Sequence, residues 1–168
     1  SYLVVEKILE LEETLLSLWP IEGTSGYKFC NYVNGLFCDC GSEAMFTDIY
    51  HEFLGAEVDY LSLLYDAKSR ILRNHMGGEV AYLGHLITDA LGEGGQESVE
   101  PWGQALIALM AAFPVYRTYI DAEQFSDRDR VFIAAAVLDA KRRAPDHQEY
   151  IDRIGRLLLS YQPLATPS

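Results

Sequence analysis

Tyr2-Leu-Val-Val-Glu6-Lys7-Ile8-Leu9, running on to Trp19-Pro20-Ile21-Glu22-Gly23-Thr24-Ser25-Gly26-Tyr27, is the stretch whose reading decides the fold of this chain. Its opening apolar run has the length of a short buried strand. The run delivers a carboxylate, Glu6, at the point where it ends. A lone strand leaves its backbone N–H and C=O groups without partners. The stretch therefore reads as one strand of a larger sheet, with Glu6 as the residue that has a catalytic claim.

Beyond the strand, Leu9 to Leu18 is open between readings. Ile8, Leu11, Leu15 and Leu18 recur at helical spacing, Glu12 and Glu13 are compatible with a helix, and Pro20 ends whatever forms. Gly23-Thr24-Ser25-Gly26 reads as a loop, with Thr24 or Ser25 capping a short helix over 27–34 and Gly35 as its stop.

From Ser42 the pattern is helical. Ser42 is placed to cap a helix carrying Met45, Phe46, Ile49, Tyr50 and Phe53 on one side and closed by Gly55. A helix over about 57–76 puts Val58, Leu61, Leu64, Ala67 and Ile71 on one stripe and ends at Gly77-Gly78. Another follows with Val80, Leu83, Leu86, Ile87 and Leu91, and then the loop 92–98. Ser98 caps a helix that tolerates Pro101 in its first turn and stops at Phe113-Pro114. Val115 to Ile120 is β-branched or aromatic at nearly every position and reads as extended. Ser126-Asp-Arg-Asp129 resembles a capping box for a helix reaching Ala144. Pro145-Asp146 separates this helix from a last one reaching Ser160.

The totals narrow the function classes. A length of 168 residues suits one domain with a real core. Twenty-five acidic against 13 basic residues give a net charge of −12, a balance that repels phosphate backbones and anionic lipid. Nucleic acid and membrane partners are therefore not expected. The longest apolar run, 106–115, is far short of the roughly 20 residues a span needs, and no leader pattern opens the chain. Cys30, Cys38 and Cys40 form an odd set without framework spacing and read as reduced thiols in a cytoplasmic protein. Cys38-Asp39-Cys40 lacks zinc-knuckle spacing and His51 is the nearest further donor, so no metal site is expected.

Four stretches taken together resemble the maltooligosyl trehalose synthase family of the alpha-amylase superfamily. They are Val5-Glu6-Lys7-Ile8-Leu9; Trp19-Pro20 with Gly23-Thr24-Ser25-Gly26-Tyr27; Asn31-Tyr-Val-Asn-Gly-Leu-Phe37; and Pro114-Val-Tyr-Arg-Thr-Tyr119. The resemblance spans nearly the whole chain, with departures at Leu11-Glu12, Ser25, Lys28, Cys38 and Cys40. It implies a mainly α fold, in which a helical insertion domain is preceded by one short strand and catalytic loop belonging to a (β/α)8 barrel. The implied division is 1–41 for strand, catalytic loop and short helix, 42–161 for the helical domain, and 162–168 for a frayed tail.

The resemblance implies an isomerase that converts the reducing-end α-1,4 link of a maltooligosaccharide to an α,α-1,1 link by intramolecular retaining glucosyl transfer. No cofactor is implied. Glu6 takes the position of the general acid/base, while the nucleophilic aspartate falls before residue 1 and the third carboxylate after residue 168. The isolated chain is thus expected to be inactive. Retaining chemistry wants two carboxyls about 5 Å apart, and a carboxyl that donates a proton must first be held protonated by burial or nearby acids. From residues alone, the favoured reading of Glu6 is a solvated acid at a strand end, and it is the resemblance that reverses this.

Sugar rings pack their apolar faces on aromatic side chains, which makes Trp19 and Tyr27 candidate substrate-binding residues. Phe29 and Phe37 read as core. Arg117, flanked by tyrosines, is a candidate for a carbohydrate hydroxyl or a carboxylate, with a structural salt bridge as the plain reading. The alternative function is a non-catalytic helical interaction or sugar-binding module, self-associating through an exposed strand edge.

Overall fold

The computed structural model describes residues 2–10, 13–92, 98–121 and 124–161. The opening run is extended, and it finds its partner nearby in the chain. Strand β1 (Val4–Val5) pairs in parallel with β2 (Gly23–Thr24), Val4 opposite Gly23 and Val5 opposite Thr24. The Gly23-Thr24 segment read as loop is thus a strand. Two further bonds extend the ladder, from Glu22 N–H to the Leu3 carbonyl at 2.9 Å and from Ser25 N–H to the Val5 carbonyl at 3.0 Å. Between the strands, residues 13–18 form no helix. Positions 11 and 12 lie outside the described residues.

The chain is mainly helical, and it divides into two compact units, 1–58 and 59–168. In the first, α1 (Tyr27–Gly35) starts behind Gly26 at φ 107°, with no side-chain cap from Thr24 or Ser25. That left-handed conformation suits glycine, so the turn itself replaces the expected cap. Gly35 remains helical and Leu36 ends α1. A 3₁₀ turn (Cys40–Ser42) is capped by Asp39, which accepts from the Gly41 N–H and the Ser42 hydroxyl, both at 3.0 Å; it leads into α2 (Glu43–Leu54), at whose start Ser42 makes no side-chain cap. Gly55, at φ 68°, closes α2 as its residue type predicts.

Helices α1 and α2 bury none of their residues. Phe29 and Phe37, expected in a core, are exposed, as are Met45, Phe46, Ile49, Tyr50 and Phe53. Among the described residues of this unit, only Lys7 is buried.

The second unit is built around α5 (Glu100–Ala111). Seven of its twelve residues are buried: Trp102, Ala105 to Leu109, and Ala111. A helix apolar on most of its circumference must be covered on several sides. Here α3 (Tyr60–His75), α4 (Gly77–Ala90), α6 (Asp127–Arg143) and α7 (Gln148–Ser160) supply the cover. Only Met76 separates α3 from α4, and Gly77 begins the latter instead of ending the former. On α3 the buried positions are Ser69 and Leu72, with Leu61, Leu64 and Ile71 exposed, so the expected stripe is rotated. On α4, Val80, Gly84 and Thr88 face inward.

Ser126 and Asp129 form the full capping box of α6: the Ser126 hydroxyl accepts from Asp129 N–H at 3.2 Å, and Asp129 accepts from Ser126 N–H at 3.0 Å. Lys141 ties α6 to α7 through Asp152 at 2.7 Å. Gly155 lets the two helices approach, since a Cβ there would lie 2.8 Å from a Val137 methyl. The segment 115–120, expected to be extended, forms no strand: residues 115 and 116 lie in a bend and 117–120 carry no regular structure. The expected loop 92–98 and tail 162–168 fall largely or wholly outside the described residues.

Candidate functional site

The site begins where β1 ends. Glu6 is exposed, while its neighbour Lys7 is buried. The Lys7 ammonium meets the Glu13 carboxylate at 2.9 and 3.0 Å, with both side chains only 8% exposed. Glu13 also accepts the Glu10 N–H at 3.0 Å. A buried ion pair of this kind needs its partners kept together, since removing one leaves an uncompensated charge. It pins the chain just after Glu6. Sequence reasoning missed this pair, because a six-residue separation matches neither helical nor strand contact spacing on its own.

The β1–β2 ladder brings a second residue to Glu6. Ser25 is bonded to Val5, Gly26 turns the chain, and Tyr27 opens α1. Hydrogen bonding to Glu6, followed by its negative charge, raises the Tyr27 pKa above the usual 10.0, with a smaller contribution from Cys30 one turn along. Both effects stabilise the protonated phenol. Tyr27 itself is 41% exposed.

The other candidates have their own local partners. Trp19 sits in the turn that precedes β2, its N–H bonded to the Leu16 carbonyl at 3.1 Å and its carbonyl accepting from Ile21 at 2.9 Å. Arg117 belongs to the second unit. It lies over the Tyr119 ring at 4.9 Å and donates from Nε to the Thr118 carbonyl at 3.1 Å. His51, the nearest metal-type donor to the cysteines, instead accepts the Val58 N–H at 3.4 Å. Among the described residues no cluster of three or more metal-ligating side chains forms, and no helix is long and apolar enough to cross a membrane.

These features define a class: a helical segment preceded by two short parallel strands, with an exposed carboxylate, Glu6, at the end of β1. Among solved structures, the chain is similar to maltooligosyltrehalose synthase from Arthrobacter ramosus, at 28% sequence identity and a TM-score of 0.73. The match covers 94% of this chain and 19% of that one, so the chain spans about a fifth of the length of the enzyme it matches. A scan of protein-family models finds no match, and neither does a search of curated proteins. The structural likeness supports a related segment of that enzyme.

Proposed function

We propose that this chain is the segment of a maltooligosyltrehalose synthase that carries the acid/base glutamate, Glu6, together with the helical body that follows it. The observation that carries this reading is an exposed strand-end carboxylate in a chain that aligns over 94% of its length with part of that enzyme. In this reading β1 is a strand of the parent (β/α)8 barrel. The nucleophile and the third carboxylate come from outside the 168 residues. Glu6 protonates the glycosidic oxygen of the reducing-end glucose as the C1–O bond breaks, and a carboxylate nucleophile takes the anomeric carbon. The freed glucose turns, and its anomeric hydroxyl attacks while Glu6 takes the proton back. The substrate is a maltooligosaccharide and no cofactor takes part. Three exposed free thiols fit a reducing compartment, which favours the cytoplasm.

Exposed Phe29, Phe37, Phe46 and Phe53 fit a segment that packs against further polypeptide. The same residues favour the second reading, a non-catalytic interaction or sugar-binding module that self-associates. Two experiments separate the readings. The chain alone, incubated with maltohexaose, should form no non-reducing product, and robust turnover would overturn the segment reading. Grafted in place of the matching fifth of the Arthrobacter enzyme, it should support turnover, and Glu6→Gln should then reduce kcat about a thousandfold. A near-normal rate would remove Glu6 from the chemistry. Titration calorimetry with maltooligosaccharides and size-exclusion across concentrations test the second reading, which falls if neither binding nor association is seen.

A further inference from the structure

Helix α3 carries an apolar stripe that its own fold leaves open. Leu61, Leu64, Lys68 and Ile71 recur at helical spacing and so lie along one side of the helix. The core takes the adjacent side instead, through Ser69 and Leu72. Leu61 stays 65% exposed and Ile71 49%. A single exposed apolar residue is ordinary, whereas a contiguous set marks an interaction surface.

The end of the stripe opens into a groove with a volume of about 390 Å³. Ala67 and Ile71 line it from α3, and Met110, Val115 and Tyr116 from α5 and the segment after it. Lys68 supplies a charge within this apolar lining. Its side chain is half-buried, and its ammonium donates to the Phe113 carbonyl at 3.0 Å. An ammonium has further donors to give, and among the described residues Lys68 forms no ion pair. A surface that covers the groove must bring a carboxylate with it, because an ammonium buried without a partner is costly.

We propose that this outer side of α3, with the groove at its end, is a docking surface for another part of the same synthase polypeptide: an apolar face bearing a carboxylate that pairs with Lys68. The inference rests on the reading of the chain as a segment. The structural match covers 19% of the Arthrobacter enzyme, so most of that polypeptide lies outside the segment and is the source of the covering face. A second copy of this chain fits less well, since each copy carries a net charge of −12 and like-charged bodies repel. Anionic lipid is disfavoured for the same reason.

Zero-length cross-linking tests this in the graft described above. Carbodiimide couples an amine to a carboxylate in contact with it. The treated graft should yield a peptide joining Lys68 to an Asp or Glu outside the grafted segment. Acetylation of Lys68 should slow about tenfold relative to the isolated chain, as expected where a packed interface excludes water. Ile71→Asp, which sets a charge on the stripe, should abolish the link, and Ile71→Leu should keep it. Lys68 left unlinked and acetylated at the isolated-chain rate overturns the docking, and a link that survives Ile71→Asp removes the stripe from the surface. A link between two copies of the isolated chain gives the face to a second copy and also overturns it. If the graft is insoluble, the link is sought between the isolated chain and the Arthrobacter enzyme lacking its matching fifth, and absence there overturns the docking. Turnover of maltohexaose is the separate readout. A graft that turns over with Lys68 open keeps the synthase reading and loses this one, and a linked Lys68 in a graft without turnover does the reverse.

Discussion

The two units of this chain hold the same kinds of apolar side chain and use them differently. In residues 59–168, Trp102, Ile133, Ile151 and Ile154 are almost wholly enclosed, and α5 is covered by four other helices. In residues 2–58, α1 and α2 enclose nothing, and Lys7 is the one buried residue described. An apolar helix face states a demand for burial, and only the rest of a fold can meet it. The larger unit meets that demand for α5 within itself. In the smaller unit, the ordering devices are polar: a short parallel ladder, the Lys7–Glu13 pair and the Asp39 cap. The candidate site lies there, where structure is held by a few directional contacts.

The largest consequence is in local stability. Amides of buried core helices open only with global unfolding, whereas segments with few buried contacts open locally. Hydrogen exchange in the intact chain should show α5 amides protected at least ~100-fold more than those of α1 and α2. Equal protection would mean that the smaller unit draws stability from something other than its own packing.

Side-chain truncation carries the contrast to single residues. Trp102 is 0% exposed, stacked edge-on by Tyr150 at 4.9 Å and covered by Arg153 at 4.7 Å. Trp102→Ala should cost about 3–5 kcal/mol through lost burial and a cavity. Phe53, 84% exposed, should tolerate Phe53→Ala within about 0.5 kcal/mol. Urea denaturation of the two variants measures both, and a large loss at Phe53 would show that α2 is packed in solution.

How far residues foretold this structure depends on whether the signal was local. Two caps were legible from short-range chemistry, Gly55 ending α2 in the left-handed conformation and Ser126 with Asp129 forming the capping box of α6, whereas Thr24 or Ser25, Ser42, Gly35 and Gly77 did not take the capping or stopping roles their types suggest. Strand β2 was not, since Gly23-Thr24 carries no apolar alternation and is a strand only through its bonds to β1. Val115 to Ile120 shows the converse. Its β-rich composition favours a strand, but no neighbouring strand pairs with it among the described residues and none forms. On α3, helical periodicity was right and its phase was wrong. The small Ser69 and Leu72 face the core, and Leu61, Leu64 and Ile71 do not. At the candidate site, Glu6 was legible as the acid at a strand end. The backbone pairing beside it was not, because it joins two segments far apart in sequence.

Glycine substitutions extend the contrast to its finest scale, because the same added methyl should act with opposite sign in the two units. At Gly155, in α7, a Cβ would stand 2.8 Å from a Val137 methyl on α6. Two helices pressed together by a glycine cannot both keep their positions, and overpacking of this kind costs about 1–3 kcal/mol. At Gly35, inside α1 and with φ negative, nothing lies within 4 Å of the added Cβ. There the substitution only restricts the unfolded chain and improves helix propensity, worth about 0.4–1 kcal/mol in favour of the helix. Gly155→Ala should therefore lower the melting temperature by several degrees, at about 2–4 °C per kcal/mol for a chain of this size. Gly35→Ala should leave the melt of the larger unit where it is and slow exchange in α1 by a few-fold. A neutral Gly155→Ala would mean that Val137 rotates away at little cost, and the close approach of α6 and α7 would then not depend on glycine.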